Sequence, residues 1–185
     1  MVRRVDSTGK DAKNTRTPPD QKVDIVSTET LCAAADFARQ CQGLGCGTIL
    51  ADPPWQFSNR TGKMAPEHKR LNRYATLTLD EIKTIPVGEA CTEQSHLYLW
   101  VPNALLQEGL DVMTAWGFQY KTNLVWHKVR KDGGPDGRGV GFYFRNTTEL
   151  VLFGVRGKLR TLEPGRTQVN IIKSRKREHS RKPDE

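Results

Sequence analysis

The chain has 185 residues, 36% of them hydrophobic, and a formal charge of +8 at pH 7. That is enough for one domain with a sizeable core, and the basic balance favours a polyanionic partner. No stretch is long and apolar enough for a membrane span, and the N-terminus has no apolar signal core, so a membrane role is excluded and a cytoplasmic location is expected. Four cysteines (Cys32, Cys41, Cys46, Cys91) form no CxxC pair and have no nearby histidines. Reduced thiols and no metal are therefore expected.

Residues 1–21 are polar and basic (Arg3, Arg4, Lys10, Lys13, Arg16) with Pro18 and Pro19. By composition this is a disordered arm, either a solvated tail or a contact for nucleic acid. The rest, 22–185, reads as one domain. Ser27-Thr28-Glu29-Thr30 offers a helix start, with Leu31, Ala34, Ala35 and Ala38 on one face and Gly43 and Gly45 as stops. The apolar run 48–51 reads as a buried strand, cut off by Asp52-Pro53-Pro54-Trp55, since prolines lack a donor and fix φ. A long basic loop follows over 56–75, with Arg60, Lys63, Lys69, Arg70 and Arg73, and Tyr74 near its end. Phosphate contact, substrate gating and a plain insertion all remain open for it. Thr78 caps a short helix over 79–85, closed by Pro86.

A second buried strand runs over 96–101 and ends at Pro102-Asn103. Helical spacing over 104–116 stops at Gly117, and 118–129 reads as a third strand. The stretch 131–141 carries five glycines and Pro135, a flexible loop without phosphate-loop spacing. A fourth strand covers 148–155, with Glu149 oddly placed at its start, and a fifth covers 168–172. The basic run 173–182 is a solvated face or a phosphate-facing loop. Lys182-Pro183-Asp184-Glu185 then reads as the opening of a helix, so the fold is expected to run on past it. Strands alternating with helices predict an open, mostly parallel α/β sheet with flanking helices.

In such sheets ligands bind at the carboxyl ends of the strands. There the chain places an acceptor-only carboxylate, stiff carbonyls and a flat indole, a set suited to a planar base with an exocyclic amine. The alternative is an ordinary strand end, with Asp52 capping a turn and Trp55 in the core. Core packing is the preferred reading for Trp100, Trp116 and Trp126.

The ordered motifs resemble a known family. Ala51-Asp52-Pro53-Pro54-Trp55, Tyr74-x-Thr76, Leu97-Tyr98-Leu99-Trp100-Val101, Ala115-Trp116-Gly117-Phe118, Trp126-x-Lys128, Tyr143-x-Arg145 through Glu149, and Glu178 through Glu185 occur in the order found in certain adenine-N6 methyltransferases. The family is named after the seventy-kilodalton subunit of messenger-RNA adenosine methyltransferase. The resemblance implies a Rossmann-like fold in circularly permuted order, whose last helix and strand would lie beyond residue 185. It implies S-adenosylmethionine as methyl donor, without a metal, and adenine in nucleic acid as acceptor. DNA is placed ahead of RNA, because bacterial and phage members modify DNA adenine. Homo-oligomerisation or a partner subunit is possible.

The family also implies roles for particular residues. Asp52, Pro53, Pro54 and Trp55 would form the catalytic segment: Asp52 and the Pro53 carbonyl accept the amine hydrogens while Trp55 stacks on the base. Tyr74, Lys128, Arg145 and Glu149 would bind substrate. Asp52 and Lys182 would contact the methyl donor. The competing reading is a non-catalytic nucleic-acid-binding module of the same fold.

Overall fold

A computed structural model describes residues 28–41, 43–56, 76–137, 143–161, 167–175 and 182–183. The arm at 1–21, most of the basic loop at 56–75 with Tyr74, and most of the run at 173–182 lie outside the described residues. So do the last two residues of the expected terminal helix start. Among the described residues three α-helices, α1 (Thr28–Cys41), α2 (Leu79–Thr84) and α3 (Leu106–Ala115), accompany five strands. The strands are β1 (Cys46–Ala51), β2 (Cys91–Val101), β3 (Gln119–Val129), β4 (Thr148–Arg156) and β5 (Ile171–Arg175). No helix among the described residues is long and apolar enough to cross a membrane.

The sheet has the order β1-β2-β4-β3-β5. β1 pairs β2 in parallel and β3 pairs β5 in parallel, while β4 lies antiparallel between β2 and β3. Four strands thus share one direction and β4 opposes them, a mixed sheet within the expected α/β class. The connections explain the reversal. α2 lies between β1 and β2, and α3 between β2 and β3; both are crossover helices of the kind that parallel strands require. No helix is described between β3 and β4, and a glycine-rich connection without a helix suits an antiparallel return. β2 begins at Cys91, five residues before the expected start, and β5 lies three residues later than expected.

Side chains alternate across the sheet. Leu97, Leu99 and Val101 of β2 and Leu152 of β4 pack against Ile82, Val112, Met113 and Trp116 from the helical layer, with Trp55 in the same cluster. On the opposite face Trp100, Trp126 and Val151 form a second cluster, flanked by Tyr98, Leu124 and Ile172. Local chemistry fixes the helix ends. Thr78 and Glu81 form a reciprocal capping box at α2. Gly117, at φ 84°, closes α3, and the Phe118 N–H returns to the Met113 carbonyl at 3.0 Å. The Trp116 indole N–H donates to the Ile82 carbonyl at 3.0 Å and ties α3 to α2.

The carboxyl ends of β1, β2, β3 and β5 and the start of β4 meet at one rim of the sheet. This follows from the register, in which Val101 pairs with Leu150 and His127 with Thr148. The rim stays in place only if α3 sits hard against the sheet, and Gly109 permits that approach. A Cβ there would stand 2.6 and 2.8 Å from the Val101 methyls and 3.2 Å from Leu152 Cδ1. Alanine ordinarily gains about 1 kcal/mol over glycine inside a helix. Overpacking costs about 1–3 kcal/mol, and branched, buried Val101 has little room to yield. Gly109→Ala is therefore expected to lower the urea unfolding midpoint; a raised midpoint would show that α3 shifts freely on the sheet.

Candidate active site

β1 ends where the prolines begin, and their carbonyls are used at once. The Trp55 N–H donates to the Pro53 carbonyl at 2.8 Å, and the Leu77 N–H donates to the Pro54 carbonyl at 2.9 Å. The Trp55 indole is 7% exposed and its Nε1–H donates to the Trp100 carbonyl at 2.9 Å. Trp55 is thus a core residue that pins the loop after β1 to the end of β2. This burial matches the alternative reading of the sequence, with Trp55 in the core, rather than a ring stacked on a base. Asp52 is left at the rim with 47% of its side chain exposed.

Three other charges converge on the rim. Lys182 Nζ lies 3.4 Å from Asp52 Oδ2 and 3.0 Å from Glu149 Oε2. The other Glu149 oxygen, Oε1, accepts from Lys128 Nζ. Glu149 therefore stands between two ammonium groups, and Lys182 stands between two carboxylates. The two tryptophans of the second cluster lie beneath. Lys182 Nζ sits 4.5 Å from the centroid of the Trp100 ring, and Lys128 Nζ sits 4.9 Å from that of Trp126. The rings meet edge to face at 5.9 Å, and both lysines are placed for cation–π attraction. Alternation explains the grouping, since Trp126 and Lys128 are two apart on β3 and share a face.

The network sets the two carboxyl groups apart. Partial burial pushes Asp52 above its ordinary value; Lys182 opposes the shift and Glu149 adds to it. Burial would raise Glu149 as well, but Lys182 and Lys128 together outweigh it and hold Glu149 below its ordinary value. Glu149 is thus the firmly ionised anchor. Asp52 is the carboxylate whose charge is less well compensated.

The rim at this point combines a half-exposed acceptor carboxylate with an ammonium beside it. The MT-A70 family matches residues 46–185. The chain belongs to the MT-A70 family. Relatives include a putative N(6)-adenosine-methyltransferase MT-A70-like protein of Medicago truncatula, 30% identical over 141 residues, covering 75% of this chain and 20% of that protein. The type II methyltransferase M.MunI of a Mycoplasma species is 26% identical over 153 residues, covering 73% of this chain and 61% of that one. The human N(6)-adenosine-methyltransferase catalytic subunit METTL3 is 29% identical over 140 residues, covering 74% and 22%. The chain thus spans about a fifth of the plant and human relatives.

Of the residues singled out from the sequence of this MT-A70 chain, the structure brings Asp52, Lys128, Glu149 and Lys182 into one connected cluster. Pro53 and Pro54 shape the loop beside it. Arg145 is exposed on the segment leading into β4 and is not part of the cluster. Tyr74 lies outside the described residues. Trp100, Trp116 and Trp126 are buried as expected, yet Trp100 and Trp126 also form the floor under the lysines.

Two residues were not legible as site components. Asn103 Nδ2 donates to both the carbonyl and the Oγ1 of Thr148 at 3.1 Å and so locks the residue before Glu149. Ser174 Oγ accepts from Trp126 Nε1 at 2.9 Å and fixes that ring. Both bonds join strand ends far apart in sequence, and no local spacing signals them.

The depressed Glu149 carboxyl carries a pH signature. An acid held below its unfolded value adds stability above that value and loses it as the pH falls through the folded one. Asp52, raised in the fold, has the opposite sign. Glu149→Gln is expected to lower stability at pH 7 by about 1–3 kcal/mol, since bonds to charged partners are of that size. The gap to wild type should close as the pH drops from 4.5, the ordinary value, through the lower folded one. Thermal unfolding at neutral and acid pH measures this; an equal gap at both would remove Glu149 from the ion network.

Proposed function

We propose that this chain carries the acceptor site of an S-adenosylmethionine-dependent methyltransferase acting on the N6 amine of adenine in nucleic acid. The observation that supports it best is the convergence of Asp52 and Lys182, from opposite ends of the sequence, within 3.4 Å at the carboxyl end of β1.

The amine of adenine is a poor nucleophile because its lone pair is delocalised into the ring. Asp52, half exposed and acceptor-only when ionised, is suited to take one N–H. The Pro53 carbonyl, which has one lone pair engaged by the Trp55 N–H, keeps a second to take the other. Two aimed acceptors orient the nitrogen and stabilise the positive charge that grows on it. After transfer the nitrogen loses its proton readily to solvent, so no dedicated base is assigned.

S-adenosylmethionine, when bound, supplies the methyl group. It has a cationic sulfonium and an amino-acid end with both charges. Asp52 and Lys182 present one charge of each sign side by side, and they are the residues that would hold it. Glu149 and Lys128 keep Lys182 in place. In this reading Lys128 and Glu149 act on substrate through Lys182 and Asp52, and Arg145 touches the nucleic acid directly.

DNA is the preferred acceptor. M.MunI, the type II methyltransferase, is the relative named here of which the chain spans the largest share, and the bacterial members of the family modify DNA adenine. The eukaryotic relatives, named as adenosine methyltransferases, support RNA as the second reading. The thiols Cys41, Cys46 and Cys91 are free, which suits a reducing cytoplasm. A second copy or a partner subunit remains part of the proposal.

Transfer of labelled methyl from S-adenosylmethionine to adenine-containing DNA and RNA oligonucleotides tests the reading. Asp52→Ala is expected to reduce the rate by about 10²–10³-fold, the usual effect of removing one aimed group. An unchanged rate would remove Asp52 from the reaction. Asp52→Asn should be equally inactive. At pH 7 its stability should equal or exceed that of wild type, because ionised Asp52 is the less favoured form in the fold. Clear destabilisation at pH 7 would show instead that Asp52 is a structural anchor for Lys182.

A further inference from the structure

The segment leading into β4 carries two neighbouring aromatic side chains that the fold leaves uncovered. Tyr143 is 94% exposed and Phe144 is 85% exposed, the highest values among the large hydrophobic residues described. Each leaves a large apolar surface in water, where a domain ordinarily buries it. Their position is informative. Lower down, this segment is fastened to the rim. The Lys128 N–H donates to the Thr147 carbonyl at 2.8 Å, and Asn103 holds Thr148. Glu149, the hub of the ion network, follows directly. Only three residues, 145–147, separate the two rings from the start of β4 at the rim that carries Asp52.

The stalk and its neighbours are basic or neutral. Arg145 and Asn146 are exposed, and residues 143–147 contain no carboxylate. β5 contributes exposed Lys173 and Arg175 at the same end of the sheet; they pair with His127 and Val129 and lie on the face opposite Lys128. Uncovered aromatic faces interleaved with cations are the combination that holds unpaired nucleotides: rings stack on bases, which all have a π face, and cations follow the phosphates.

We propose that Tyr143 and Phe144 form a stacking platform for bases of the acceptor strand that flank the target adenine. The proposal rests on the nucleic-acid reading above and deepens it. An adenine in a duplex must leave the stack before its amine can be reached, which unstacks its neighbours. Rings at the rim would take up the exposed faces, while Arg145 would fix the adjoining phosphate. The partner is single-stranded or locally opened nucleic acid, recognised by stacking and therefore tolerant of sequence.

Fluorescence anisotropy with a labelled adenine-rich single-stranded deoxyoligonucleotide tests this without requiring turnover. Both side chains are in solvent, so Tyr143→Ser/Phe144→Ser is expected to unfold at the same temperature as wild type. It should bind roughly tenfold or more weakly, the scale of losing a base–aromatic stack. The slope of affinity against salt should not change, since no phosphate contact is removed. Arg145→Ala should make that slope shallower by about one phosphate's worth. Replacing the flanking bases by abasic sites, with one target adenine kept, should weaken wild type and leave the double variant unaffected.

Equal binding by wild type and the double variant would overturn the platform while leaving the nucleic-acid reading intact. No binding by wild type at low salt would overturn the nucleic-acid reading itself. If the double variant binds normally but sediments as a smaller species than wild type, the rings are an interface between copies of the chain and the platform is overturned.

Discussion

Glu149 held between two ammonium groups is the interaction on which the rim of this sheet depends. Its two oxygens take Lys128 from β3 and Lys182 from the far end of the chain. Lys182 in turn reaches Asp52 at the end of β1. One carboxylate thus ties together the ends of three strands and a segment that joins none of them. Partly buried ion pairs contribute little net stability, because desolvation offsets attraction. What they provide here is geometry. With Glu149 firmly ionised, the position of Lys182 is set, and so is the charge that faces Asp52.

The two tryptophan floors serve the same end. Trp100 and Trp126 cannot be replaced by aliphatic side chains of similar burial without losing the ring faces beneath the lysines. Each ring is also tethered. Trp126 is held by its own N–H to Ser174 and Trp100 by the edge-to-face contact, while the Trp100 backbone carbonyl accepts from Trp55. The helical layer on the other face supplies most of the apolar burial. The two faces divide the labour: one holds the sheet together, and the other sets out charges at its rim.

This division bears on the chemistry proposed. Asp52 is raised by its surroundings and Glu149 lowered, although both face the same lysine. Lys182 stands nearer Glu149 than Asp52, and of the two carboxylates Lys128 pairs with Glu149. In the proposed reaction the less compensated carboxylate is the one that would meet a substrate amine, and a cation arriving beside it would improve its balance. In the proposed reaction, affinity for a positively charged donor and readiness to accept an N–H would share one origin.

Much of the fold was legible because its signals are local. Apolar runs cut by Pro53, Pro102 and Gly117 located β1, the end of β2 and the end of α3, since backbone sterics and missing donors act within a few residues. The Asp52-Pro53-Pro54-Trp55 segment marked the candidate site for the same reason. The reversal of β4 was signalled in the sequence by the glycine-rich stretch between β3 and β4, and the ends of β2 and β5 depended on pairing partners. Tertiary structure alone decided that Trp55 belongs to the core and that Lys128, Glu149 and Lys182 form one network with Asp52. Asn103 and Ser174 emerged in the same way. These are contacts across strands, set by which side of the pleat each residue takes and by strand order. The sequence by itself determined which chemical groups stand at the strand ends; the packing of the sheet decided which of them meet.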